Sequence, residues 1–172
     1  MSVLSRDSIL KAIQAKQITI TPFNLSHLGP ASYDLTLGDE FREMTVSEDV
    51  IPITDDVDYK QYSKVVKVPK GECFVLKPGQ TVLGITEETV SISPSFCGLL
   101  EGRSRFARMG LAIHITAGFM QPGINNKQVL EIFNASPNSL ALYPGTHLCQ
   151  FVFMKLEGRA VYTGRFASQS LD

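Results

Sequence analysis

EGRSRFARMGLAIHITAGFMQPGINNKQVLEIFN, residues 101–134, carries both the fold signal and the chemical signal of this chain. Residues 111–115 and 128–133 are short apolar runs, and Pro122-Gly123 between them marks a turn. Nothing in the stretch has the three-to-four-residue apolar period of a long helix, so it predicts short strands. On a two-residue period Val129, Glu131 and Phe133 share one face of a strand, and Leu130, Ile132 and Asn134 share the other. Both faces are mostly apolar, which places Glu131 among hydrophobic neighbours. A carboxylate in such surroundings tends to lose water, which favours its protonated form and suits it to proton transfer. Between Gly102 and Leu130 there is no Asp or Glu, while Arg103, Arg105, Arg108 and Lys127 stand there. Guanidinium groups donate paired hydrogen bonds that match phosphate oxygens. Loop arginines are usually solvated and a strand Glu usually faces water. A cationic loop followed by one acid on a two-sided apolar strand instead suggests chemistry on a phosphorylated small molecule.

Working outward, the same pattern continues. Residues 64–68, 73–76, 81–86, 90–93, 97–101, 140–143 and 148–154 read as further strands. Pro69-Lys70-Gly71, Pro78-Gly79 and Pro144-Gly145 punctuate them. Tyr33, Leu35 and Leu37 alternate with polar residues in another strand, and 19–24 is a short extended piece ending near Pro22. Ser5-Arg6-Asp7-Ser8 looks like a helix start, with Ser5 as N-cap, and Ile9, Leu10 and Ile13 give an apolar stripe, so one helix is expected over 6–15. Residues 39–62 are acidic and poorly periodic and read as a long loop. Many short strands with Pro-Gly turns and almost no helix indicate an all-β sandwich or barrel. The chain reads as a single domain, 1–172, ending in a small, polar segment, 162–172.

Composition bounds the function. With 172 residues, 44% hydrophobic and 19% charged, this is a folded domain able to bury a sizeable core. A net charge of −1 supplies no global field for a nucleic-acid polymer. No apolar run reaches membrane-spanning length, and the first residues lack a signal-peptide core. Cys73, Cys97 and Cys149 are odd in number and widely spaced, which argues for reduced thiols in the cytoplasm and against a structural zinc site. His27, His114 and His147 have no ligand spacing either.

Four segments resemble the dCTP deaminase family of the trimeric dUTPase-like superfamily. They are GPASYDLTLG (29–38), LKPGQTVLGITEETVSISPSFCGLLEGRSRFARMGL (76–111), HITAGFMQPGINNKQVLEIFN (114–134) and YTGRFASQ (162–169). The resemblance implies a distorted β-barrel or jelly roll of the dUTPase-like type with a short N-terminal helix. It implies deamination of dCTP with water to dUTP and ammonia, supplying dUMP for thymidylate synthesis. By position, Arg103, Ser104 and Arg108 match residues that hold the triphosphate and support the reaction. Arg105, Phe106 and Ala107 lie in the same motif and count with the nucleotide-binding residues. Glu131 matches the proton-shuttling glutamate, with Ser104 and Arg108 beside it, and Ala117 a residue whose backbone positions the water. Val129 and Leu130 match residues contacting sugar and base. Tyr162, Arg165 and Gln169 match a C-terminal lid that closes over the nucleotide, Arg165 standing where the family has Lys. The resemblance also implies a homotrimer with shared sites, Mg²⁺ carried by the triphosphate, and dTTP as a feedback inhibitor.

The residues agree with a metal-free route. Zinc deaminases carry H-x-E…P-C-x-x-C, which is absent from this sequence. Without zinc, one carboxylate must take the water proton and deliver it to the amine, helped by donors and carbonyls that hold water and base. His114 is open to two readings at this stage, a buried hydrogen-bonded histidine or a catalytic one. Two positions depart from the family pattern. Arg105 replaces a small Ser beside the phosphates. Gln121 replaces the Asp before Pro-Gly, which in dUTPases activates the attacking water. An amide does not ionise usefully but still hydrogen-bonds a hydroxyl. Gln121 therefore counts against dUTP hydrolysis. The rival functions are a dUTP diphosphatase or bifunctional deaminase–dUTPase, and a non-catalytic nucleotide-binding regulator.

Overall fold

The strand that organises the sheet is β3, Tyr33–Met44, which pairs with three others. The computed structural model describes residues 2–171. In chain order it contains β1 (Ser2–Val3), α1 (Arg6–Gln14), β2 (Ile18–Thr21), β3, β4 (Ser63–Lys67), β5 (Phe74–Leu76), β6 (Thr81–Ile92) and β7 (Phe96–Gly102). There follow α2 (Ser104–Ala107), β8 (Leu111–Ile113), β9 (Phe119–Met120), β10 (Asn125–Asn134), β11 (Leu140–Leu142) and β12 (His147–Lys155). The main sheet runs β8-β10-β6-β3-β12-β7-β9, with β1 on β12, β2 on β6 and β4 on β3; β5 and β11 form a separate pair. All described pairings are antiparallel.

Register shifts bend this sheet. They fall between Leu37 and Phe41 on β3, between His147 and Cys149 on β12, and between Lys127 and Val129 on β10. The extra residues lie on β3 in its pairing with β6, on β12 in its pairing with β3, and on β6, between Ile85 and Thr89, in its pairing with β10; such bulges kink the strand and increase the local twist. The result is a curled, all-β half-barrel of the dUTPase-like type, as expected. Tyr33, Leu35, Leu37, Phe41, Leu130, Ile132, Phe151 and Phe153 fill its inside, each fully buried. Burying one such side chain stabilises the fold by about 1.5–3 kcal/mol. Close approach sets one glycine: a Cβ at Gly98 would stand 2.7 Å from the Val152 carbonyl oxygen and overlap the Phe151 ring.

Helix α1 buries Ile9 and Ala12 and places Asp7 in its first turn. Ser5 is its N-cap residue, but the Ser5 hydroxyl lies 3.2 Å from the Ser8 hydroxyl and caps no backbone N–H. The helix ends with Gln17 N–H donating to Ala12 and Lys16 N–H to Ile13, Lys16 sitting at φ 56°.

Three expectations are corrected. Residues 39–62 are not one loop, because β3 continues to Met44 and a 3₁₀ turn spans Tyr59–Tyr62. Residues 81–86 and 90–93, expected as two strands, fall in the single strand β6, Thr81–Ile92. Glu87 and Glu88 look like a break in the apolar pattern, yet Glu88 is 2% exposed, and its carboxylate accepts from the Thr36 N–H at 2.8 Å and the Thr36 hydroxyl at 2.7 Å. The turn of helix α2 was not expected, since four residues are too few for a helical period to show.

Candidate active site

Strand β10 carries Glu131 with alternating burial: Leu130, Ile132 and Asn134 lie in the core, while Val129, Glu131 and Phe133 take the more open face. The predicted parity holds, but the surroundings of Glu131 differ from expectation. Its side chain keeps 40% exposure, so it is not sealed among apolar groups. Only one of its oxygens, Oε2, is buried, at 2.5 Å from Nδ1 of His114. The contact lacks hydrogen-bond geometry, and neither nitrogen of the His114 ring has a hydrogen-bond partner.

His114 reaches this position through the backbone. Strand β8 ends at Ile113, and the His114 N–H donates to the Glu131 carbonyl at 2.8 Å. The residue then turns at φ 50°, a left-handed conformation uncommon outside glycine. The chain leaves the sheet there and the ring, 7% exposed, folds over the carboxylate.

Glu131 opens on a cavity of about 650 Å³. Its wall includes His114, Ala117, Gln121, Gln128 and Val129, together with Tyr162, Arg165 and Gln169 from the C-terminal segment. That segment is docked on its own chain. The Gln169 side-chain oxygen accepts from the Val129 N–H at 3.0 Å, a donor made available by the register shift. The Tyr162 N–H donates to Pro122, and Arg165 donates to the Val57 carbonyl at 3.0 Å while lying 3.5 Å from Asp58. Leu171 is buried against Leu83 and Ile85, and its carbonyl accepts from Nε of the buried Arg42 at 2.8 Å.

The cationic loop is elsewhere. Arg103 is ion-paired with Asp34 at 3.0 Å and donates to the His147 carbonyl at 2.9 Å. Ser104, Arg105, Ala107 and Arg108 are exposed, and Phe106 packs its ring partly against the core. The guanidinium groups of Arg105 and Arg108 have no ion-pair or hydrogen-bond partner among the described residues, although the Arg108 N–H donates to the Ser104 carbonyl at 3.0 Å. None of residues 103–108 lines the Glu131 cavity. Leu130 also departs from its sequence reading, because its side chain lies wholly in the core. Thus Glu131, Ala117, Gln121, Val129, Tyr162, Arg165 and Gln169 come together within the chain, and the loop arginines and Ser104 do not join them.

A family model described as dCTP deaminase-like matches residues 3–156. The chain belongs to the dCTP deaminase-like family. It is 36% identical over 155 residues to a Methanobrevibacter smithii protein named dCTP deaminase, dUMP-forming, covering 89% of this chain and 80% of that one. A Methanopyrus kandleri protein of the same name is 36% identical over 169 residues, covering 95% and 86%. Among solved structures, the 2′-deoxycytidine 5′-triphosphate deaminase of Agrobacterium tumefaciens superposes with a TM-score of 0.66 at 19% identity, over 88% of this chain and 47% of that chain, a likeness of fold.

Within this family member, three features were missed from sequence. Asp58 sits in the acidic segment and Arg42 on a long strand, both outside the motifs, while Gln128 lies within the 114–134 motif at the register shift but was not singled out; only folding brings them to the cavity or the tail. The thiols take no part. Burial pushes Cys97 up, and burial helped by Glu88 and Asp34 pushes Cys149 further, so neither is a ready thiolate. Among the described residues no three His, Cys, Asp or Glu side chains are placed to hold a metal ion, and no helix is long and apolar enough to cross a membrane.

Proposed function

We propose that this chain deaminates dCTP, with Glu131 moving the proton. Water adds to C4 of the cytosine; Glu131 takes one of its protons and passes it to the departing amine, while the proton left on the C4 hydroxyl ends on N3 as the carbonyl forms and the C4–N bond breaks. The products are dUTP and ammonia. The observation that carries this reading is the placement of Glu131 at the cavity wall, one oxygen against His114 and the side chain still open to the cavity. His114 fixes the carboxylate's orientation, and the backbone at Ala117 supports holding the water. Magnesium would ride on the triphosphate oxygens, which suit it and leave it several waters.

The phosphate clamp is read as coming from a neighbouring copy. Arg105 and Arg108 are uncommitted and lie outside their own chain's cavity, and Met109, Ile115, Phe119 and Phe133 are exposed apolar residues. A homotrimer with shared sites accounts for both, and the three unpaired cysteines suit a cytoplasmic enzyme. dTTP, which keeps the triphosphate, remains the expected feedback ligand.

A second reading is favoured by the relatives, which are named dUMP-forming. The same site would then also hydrolyse dUTP to dUMP and pyrophosphate. Gln121 weighs against it, because a carboxamide at the cavity cannot take a proton from the attacking water. One assay tests both: incubation with dCTP and Mg²⁺, followed by separation of dCTP, dUTP and dUMP. dUTP supports the first reading and dUMP with pyrophosphate the second. Unchanged dCTP rejects catalysis and leaves the nucleotide-binding regulator.

A further inference from the structure

Two amides buried beneath the C-terminal segment have no part in the chemistry above. Asn126 is 6% exposed and Gln128 1%. The Gln128 side-chain NH₂ donates to the Asn126 side-chain oxygen at 2.9 Å and to its backbone carbonyl at 3.0 Å. Gln128 is itself fixed, for its backbone N–H donates to the Thr86 hydroxyl at 2.9 Å, and that hydroxyl donates to the Glu88 carbonyl. With its oxygen committed as an acceptor, Asn126 has its NH₂ on the far side. There it donates to the carbonyls of Phe166 and Ala167, both at 3.2 Å. These two carbonyls lie between Arg165 and Gln169, the lid residues that line the cavity.

We propose that Asn126 is a positioning residue that latches the lid at its midpoint, and that Gln128 sets the polarity of the latch. The inference rests on the reading that residues 162–171 close over the nucleotide. The logic is one of donors and acceptors. Two tail carbonyls require a donor, a carboxamide can present either end, and Gln128 decides which end faces the tail. With the latch made, Gln169 is held at the Val129 N–H and Arg165 at the cavity edge. Without it, residues 166–167 lose their tie to the sheet while the contacts of Tyr162, Arg165, Gln169 and Leu171 stay, and nucleotide must bear the cost of ordering the segment between them. Two hydrogen bonds of ordinary strength correspond to roughly tenfold or more in the closure equilibrium.

The test uses Asn126→Ala, Asn126→Asp, Gln128→Glu, the Asn126→Ala/Gln128→Glu pair, and a chain ending at Val161. Three quantities are read: melting temperature, tryptic release of the 166–172 peptide, and KM and kcat for dCTP. Asn126→Asp turns a carboxylate toward two carbonyls. Gln128→Glu sets one against the Asn126 oxygen and drives the amide to flip. Each is expected to release the peptide about tenfold faster and raise KM by a similar factor, with a smaller change in kcat. In the Asn126→Ala background Gln128→Glu should add little, which a generally destabilising change would not show. Parent-like peptide release and KM in Asn126→Asp overturn the latch, as does an undiminished Gln128→Glu effect in the double variant. If Asn126→Asp does not fold, Asn126→Ala carries the same test. The truncation separates the two layers. Parent turnover without the tail rejects the lid and the latch together. Crippled turnover without the tail, beside parent-like Asn126 variants, rejects the latch alone.

Discussion

Nδ1 of His114 lies 2.5 Å from Oε2 of Glu131, and the two residues are also joined through the backbone, His114 N–H to Glu131 carbonyl. The acid and its neighbour are therefore one unit built across β8 and β10. The backbone bond fixes where the two side chains start, and the buried ring packs against the carboxylate.

Glu131→Gln keeps the shape and one acceptor but cannot transfer a proton. General acid–base catalysis contributes about 10²–10⁴-fold, and in the proposed mechanism this carboxyl would make two transfers, so the loss of turnover is expected at or beyond the upper figure. Nucleotide affinity and melting temperature should change little. A variant that binds dCTP and releases ammonia near the parent rate would remove Glu131 from the mechanism.

His114→Asn should hold the left-handed turn, which Asn tolerates better than most residues, while removing the imidazole ring. The carboxylate is then free to rotate. We expect kcat to fall by about tenfold or more, as one positioning contact is lost, with KM nearly unchanged. Equal losses in KM and melting temperature, with kcat preserved, would show that the ring only supports the fold.

Ending the chain at Val161 should leave the sheet intact and cripple turnover. It should also lower stability modestly, because Leu171 leaves its place against Leu83 and Ile85; burial of one such side chain is worth about 1.5–3 kcal/mol. Circular dichroism with thermal melting checks the fold, and the dCTP assay checks the function.

Cys149 gives a pH dependence. Burial raises its thiol far above the ordinary 9.0, so the folded chain keeps a proton that the unfolded chain releases. This stability is fully present below pH 9 and is lost as the pH rises beyond it. Urea unfolding between pH 8 and 10.5 should show a midpoint that falls on the alkaline side, and Cys149→Ala should flatten that fall. A slope unchanged in the variant would assign the effect to other groups.

How much of this was legible in the sequence follows from which interactions are local. Strand parity at Val129–Phe133 and the Pro-Gly turns depend on neighbours in the chain, and both were readable. The single span of β6 was not, since Glu88 is accommodated by Thr36, a residue on another strand. Glu131 was singled out and reaches the cavity wall, but its half-open setting was not legible, because the openness of a face depends on what packs across it. The separation of Arg105 and Arg108 from the cavity was equally hidden, as motif order carries no distances. Asn126 and Gln128 looked like ordinary polar positions until the tail was laid over them.

The pairing of β3 with β12 bears on how the chain is made. Tyr33 lies opposite Phe151, and Ser2 opposite Lys155. A ribosome delivers these partners far apart in time, so the N-terminal strands must wait, with β3 lacking its β12 neighbour, until His147–Lys155 has emerged. Non-local pairing of this kind slows folding and leaves strand edges available for misassociation. A circular permutant with new ends in the largely exposed segment at 46–56 would place β12 ahead of β3 and shorten that wait.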